Sequence, residues 1–164
     1  MRVNVRKARD FALERHGEQK YGELPYVYHL DMVYEIVLAA GLDEDYLMAS
    51  YLHDILEDTN TTKEELATKF NPRVAEMVDS VSGFGNSRKE KKACMIAKLN
   101  KFPEGINLKM ADRYANMKES LSIPGMFDMY VKELEQYMPL FEKGSSLLLA
   151  QINSLVQPKK LKLN

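Results

Sequence analysis

Apolar residues recur along this chain at steps of three and four, the spacing of one face of a helix. Val5, Ala8, Phe11 and Ala12 form the first such stripe, which Gly17 ends. Gly22 and Pro25 make Glu18 to Tyr28 a loop, and a second helix runs from about His29 to Ala40 with Gly41 as its stop. Asp43 is placed to cap a third helix, Glu44 to about Leu56. Thr62 and Glu65 form a capping-box pair that opens a fourth; Asn71-Pro72 ends it, and Pro72 suits the first turn of a fifth that reaches about Val81. Beyond the glycine-containing stretch Gly83 to Ser87, Ser87 caps a basic helix from Arg88 to about Asn100. Pro103-Glu104-Gly105 breaks the pattern before three further helices, Asn107 to Leu121, Met126 to Glu142 and Ser145 to Val156. No strand, internal repeat or low-complexity segment stands out. The pattern predicts an all-α fold, one helical domain over 1–157, followed by a lysine-rich flexible tail at 158–164.

Composition narrows the class. The 164 residues carry a formal net charge of -1, so no global charge recruits nucleic acid or an anionic membrane. No segment approaches the ~20 apolar residues of a membrane span, and no signal peptide opens the chain. A lone cysteine, Cys94, fits a reducing compartment, and the expectation is a soluble, cytoplasmic protein whose oligomeric state the composition leaves open. The ten methionines suit adaptable core filling.

The chemistry concentrates in His53-Asp54-Ile55-Leu56-Glu57-Asp58-Thr59. Apolar Leu52, Ile55 and Leu56 imply partial burial of the His-Asp pair, and a buried carboxylate beside a buried imidazole requires a strong partner. A divalent first-row cation is one, since both groups are good ligands. On a continuous helix His53 would share a face with Glu57, and Asp54 with Asp58. At a helix C-terminus such acids are electrostatically misplaced, as local choices at functional sites often are. His29, after Pro25-Tyr26-Val27-Tyr28, and Asp112, between Ala111 and Ala115, fit the same scheme.

The segments Pro25 to His29 (PYVYH), His53 to Thr59 (HDILEDT) and Lys109 to Met117 (KMADRYANM) resemble the hydrolase domain of the RelA/SpoT family and the small alarmone hydrolases, within the HD superfamily. The resemblance covers most of Ala8 to Leu121. It implies a single HD-domain helical fold in which His29, His53, Asp54 and Asp112 hold one divalent metal, typically Mn²⁺. It further implies that Glu57 and Asp58 are the catalytic acids, either of which can serve as general base, and that Asn116 contacts a nucleoside. Arg113 either orients a carboxylate or contacts phosphate. The implied reaction is removal of the 3′-pyrophosphate of (p)ppGpp by a stand-alone enzyme acting on a small-molecule nucleotide.

The chain departs from the pattern where the family carries an Arg-Lys pair before its PYI-x-H motif. Lys20 and Tyr21 stand there, so recognition of the base would pass to an ammonium and a stacking phenol. Ala115 also replaces the family's usual histidine before Asn116. Two other readings stay open: an HD phosphohydrolase acting on another nucleotide or NADPH, and a non-catalytic HD module that binds a nucleotide or a partner. The basic run Arg88, Lys89, Lys91, Lys92 and Lys98 reads as a solvated helix face, with attraction of a polyanion as its functional alternative.

Overall fold

Helix starts fall where the capping side chains put them. Asp43 accepts from the backbone N–H groups of Asp45 and Tyr46, Thr62 from Glu65, Asn71 from Val74 and Ser87 from Glu90. In this computed structural model residues 1–160 are described; of the expected lysine-rich tail, 161–164 lie outside the described residues.

The elements in order are α1 (Val3–His16), β1 (Lys20–Tyr21), β2 (Leu24–Pro25), α2 (Val27–Ala39), α3 (Glu44–Leu52), α4 (Ile55–Asp58), α5 (Lys63–Lys69), α6 (Pro72–Val81), α7 (Arg88–Lys101), α8 (Gly105–Ser120), α9 (Met126–Phe141) and α10 (Ser146–Lys160). Helix α3 packs against α1, α2 and α6, while α8 packs against α2, α6, α9 and α10. These two helices form the centre of the molecule. Along α8, Ile106, Leu108, Met110, Ala111, Ala115 and Met117 are all buried, as are Leu47, Met48, Ala49, Tyr51 and Leu52 along α3. Met77 and Met95 are buried beside them, in keeping with methionine as core filler.

Four expectations need correction. The loop before α2 contains a two-strand antiparallel hairpin, Lys20 opposite Pro25 and Tyr21 opposite Leu24, too short to leave an alternating pattern in the sequence. Gly105 opens α8 instead of breaking the chain before it. The last helix continues to Lys160, past the residue where a tail was expected to begin. The most consequential difference is in the third helix, which stops at Leu52 and restarts at Ile55. His53 and Asp54 form the turn between, Asp54 at φ -100° and ψ -3°, in the sparsely populated bridge region where active-site residues are often found. Successive side chains on a regular helix point about 100° apart, and the break lets these two aim at one place. Glu57 and Asp58 consequently belong to a separate single-turn helix, not to the end of α3.

Gly105 also lets α8 pack close against α6 and α7. A Cβ at this position would collide with Ser80 Oγ on α6 and lie 3.0 Å from Leu99 Cδ2 on α7. Gly105→Ala should therefore lower unfolding stability by about 2 kcal/mol, read from the urea midpoint, and adding Ser80→Ala should recover part of the loss. An unchanged midpoint in the single variant would show that α8 does not depend on this contact.

Candidate active site

Four polar groups meet where α2, the α3–α4 turn and α8 come together. His29 lies in the first turn of α2, His53 and Asp54 in the turn, and Asp112 at the middle of α8. His29 Nε2 and His53 Nε2 are 3.1 Å apart. Asp54 Oδ2 is 2.9 Å from His53 Nε2 and 3.7 Å from His29 Nε2. Asp112 Oδ1 is 3.3 Å from His29 Nε2 and 3.6 Å from His53 Nε2. Both histidines and Asp112 are buried.

The donor chemistry tests what such a cluster accepts. His53 Nδ1 lies 2.8 Å from the Ser50 carbonyl oxygen, so it carries the hydrogen and leaves Nε2 with a lone pair when the ring is neutral. A bare nitrogen facing a second imidazole nitrogen and two carboxylate oxygens needs positive charge. Ligands ~2.1 Å from a tetrahedral or octahedral ion stand roughly 3.0–3.4 Å apart at adjacent vertices; the separations above bracket that range. The residues therefore fit a divalent cation. Their electrostatics agree. Burial opposes charge on His53, yet Asp54 and Asp112 overcome it and push the imidazole well above its usual range. Burial alone would raise both carboxyls, but His53 draws Asp54 below the ordinary carboxylate range, and Lys109 with the imidazoles does the same for Asp112.

A second layer fixes these four groups. Lys109 Nζ donates to Asp112 Oδ2 at 2.7 Å from one helical turn earlier, and Asn116 Nδ2 donates to Oδ1 from one turn later. Tyr26 donates its hydroxyl to Asp54, and Tyr21 donates to Asn116 Oδ1 at 2.9 Å. The Tyr21 ring also stacks on His29, centroids 4.7 Å apart.

The expected substrate and catalytic residues divide between cavity and surface. A cavity of about 230 Å³ opens over the cluster, and Tyr21, Asn116, Arg113 and Glu57 line it together with His29, Asp54 and Asp112. Glu57 Oε1 accepts the Gly83 backbone N–H at 2.8 Å, and its partial burial raises the carboxyl. Asp58 is not part of that lining; its Oδ2 is held by Gln19 Nε2 at 2.7 Å. Lys20 is exposed on β1 and does not line the cavity. Asn116 and Tyr21 reach the cavity wall already bonded to each other.

Cationic side chains share this lining. Arg88, Lys91, Lys92 and Lys109 belong to it with Arg113, so part of the run read as a solvated face looks inward. Lys98 instead pairs with Asp79 at 2.7 Å. Tyr130, Glu133 and Tyr137 of α9 also belong to the lining. Sequence reasoning offers Lys109 only as a partner for Asp112 and not as a site residue, and it missed these α9 residues, which no local pattern marks.

The residues from 8 to 119 match the family model described as HD domain, and the chain belongs to that family. It is 38% identical over 121 residues to guanosine-3′,5′-bis(diphosphate) 3′-pyrophosphohydrolase of Aquifex aeolicus, covering 70% of this chain and 17% of the relative. It is 30% identical over 166 residues to the protein of the same name from Borreliella burgdorferi, covering 94% of this chain and 25% of the relative. The chain thus spans at most about a quarter of the length of these two curated relatives. A solved structure described as a metazoan ortholog of SpoT that hydrolyzes ppGpp superposes with a TM-score of 0.84 at 22% identity, over 97% of each chain, and shares the fold. Among the described residues no helix is long and apolar enough to cross a membrane.

The α9 carboxylate offers a clean pH test. Burial works against the charge of Glu133, but Arg88 and Arg113 prevail and hold its pKa at about 2. A depressed carboxyl stabilises the fold above its unfolded pKa and stops doing so as pH falls through the folded value. Glu133→Gln should cost about 2 kcal/mol near neutral pH, and the difference from wild type should shrink as the acid range is entered, between the ordinary glutamate pKa and about 2. A difference that grows toward acid would contradict this assignment.

Proposed function

We propose that this chain is a metal-dependent phosphohydrolase that removes the 3′-pyrophosphate of (p)ppGpp. The observation that carries the reading is that carboxylate oxygens of Asp54 and Asp112 both lie within 3.7 Å of His29 Nε2 and His53 Nε2, beside a cavity that cationic side chains also line. These four residues hold one divalent cation, and Mn²⁺ suits the mixed imidazole and carboxylate set. The names of the relatives above support the substrate, and the HD family supports the metal chemistry. A single free cysteine supports a cytoplasmic setting, where a nucleotide substrate would be met.

When bound, the ion supplies Lewis acidity and screens the negative charge of the phosphate. The remaining work belongs to the chain. Glu57, oriented by the Gly83 N–H and raised by burial, is suited to take a proton from the attacking water or to align it. Lys109 and Arg113 balance negative charge in the cavity lining. Asn116 and Tyr21 present an amide and a phenol ring to the nucleoside, and Tyr26 keeps Asp54 aimed. Asp58, bound to Gln19, acts as the outer member of the acidic pair.

Metal-loaded protein incubated with ppGpp should release pyrophosphate. His53→Ala and Asp112→Ala should lose the metal by elemental analysis, and pyrophosphate release with it. Glu57→Gln should keep the metal and lose turnover by roughly 10²–10⁴-fold, whereas Asp58→Asn should lose less. Stoichiometric metal without pyrophosphate release would overturn the substrate assignment, and unchanged metal content in both ligand variants would overturn the site.

A further inference from the structure

The cationic end of the cavity already holds an anion of the chain's own. Arg88 donates from Nε to Glu133 Oε1 at 2.7 Å and from Nη2 to Oε2 at 3.0 Å, while Arg113 Nη1 donates to Oε2 at 2.9 Å. Lys92 Nζ adds a longer pair at 3.5 Å. Guanidinium forks gathered on one anion in this way match the geometry they offer a phosphate. Arg113 is 4% exposed and Glu133 7% exposed, so the group is built into the wall and is not a solvated surface pair. Arg113 is also gripped between the rings of Tyr130 and Tyr137, 4.8 and 4.9 Å from their centroids, a cation–π contact that keeps it in place without the carboxylate. The Arg88 side chain is 58% exposed and free to move with an arriving ligand. Glu133 also borders a second hollow, which Lys92, Lys132 and Asp128 line with it.

We propose that this cluster is a subsite for the phosphate group of the substrate remote from the metal site, and that Glu133 is its specificity-determining residue, an internal anion the incoming phosphate must displace. Arg88, Arg113 and Lys92 carry three positive charges, and Glu133 reduces them to two. A singly charged group gains little by replacing one carboxylate with another anion of equal charge. A diphosphate brings more charge than it displaces, and wins. The wall thereby selects by the number of charges at that end of the nucleotide. This deepens the nucleotide reading above and rests on it for the identity of the cavity as the substrate site.

Calorimetric titration of the metal-loaded protein with GDP, ADP and guanosine tests the subsite apart from any hydrolysis of ppGpp. Glu133→Gln should tighten both diphosphates by about tenfold, the effect of one like charge removed from a partly buried site, and leave guanosine unchanged. Arg88→Gln should weaken both diphosphates by a similar factor and also leave guanosine unchanged. The proposal is overturned if a cooperatively melting Glu133→Gln binds the diphosphates no tighter, or if guanosine gains as much as they do. Should Glu133→Gln fail to fold, Arg88→Gln decides, and unchanged diphosphate affinity there overturns the subsite. Absence of ppGpp hydrolysis alongside the expected titrations would remove the substrate assignment and leave the subsite standing; hydrolysis with unchanged titrations would do the reverse.

Discussion

Two imidazoles and two carboxylates, three of the four groups buried, lie within 4 Å of their neighbours in this protein, and such a cluster is costly unless a positive charge joins its members. The chain supplies part of that charge from Lys109, buried beside Asp112. Burial alone would lower its ammonium pKa, but the carboxylate outweighs burial and raises it. The rest is left to whatever enters the centre. Each piece of the surrounding fold answers this demand. Helix α8 runs through the middle of the molecule because it carries Asp112 and both of its tethers, Lys109 and Asn116. Helix α3 is clamped by α1, α2 and α6, so the turn at its end is delivered to a fixed place.

The lining of the resulting cavity combines acidic and imidazole groups, the cations Arg88, Lys91, Lys92, Lys109 and Arg113, and Tyr21, Tyr26, Tyr130 and Tyr137. A substrate that carries phosphate groups and an aromatic base finds a partner among them. The nucleotide proposed above carries both, and these local cations offer it positive charge although the chain's net charge is -1.

Much of this was legible in the sequence, and the failures have identifiable causes. Caps at Asp43, Thr62 and Ser87 mark helix starts because their side chains satisfy backbone donors nearby, a strictly local effect. The adjacent His53 and Asp54 announced themselves through the burial that Leu52 and Ile55 imply. The helix break at the same pair was invisible, since the apolar residues Leu52, Ile55 and Leu56 run straight through it. Glu57 and Asp58 stand side by side in α4 yet find different partners, the Gly83 N–H and Gln19, which spacing alone does not show. Lys20 and Tyr21 are neighbours in sequence, but alternation along a strand sends only Tyr21 inward. Glu133 could not be read at all. It is one acid among several on α9, and its meaning comes from Arg88 and Arg113, 45 and 20 residues away.

Everything above depends on a cation sitting among the four converging side chains. Anomalous diffraction at the manganese edge, from crystals grown with Mn²⁺, tests that most directly. The account predicts one strong peak per chain between His29 Nε2 and His53 Nε2, within coordination distance of the Asp54 and Asp112 carboxylates. A peak elsewhere in the molecule, with this centre empty at full manganese loading, would contradict it.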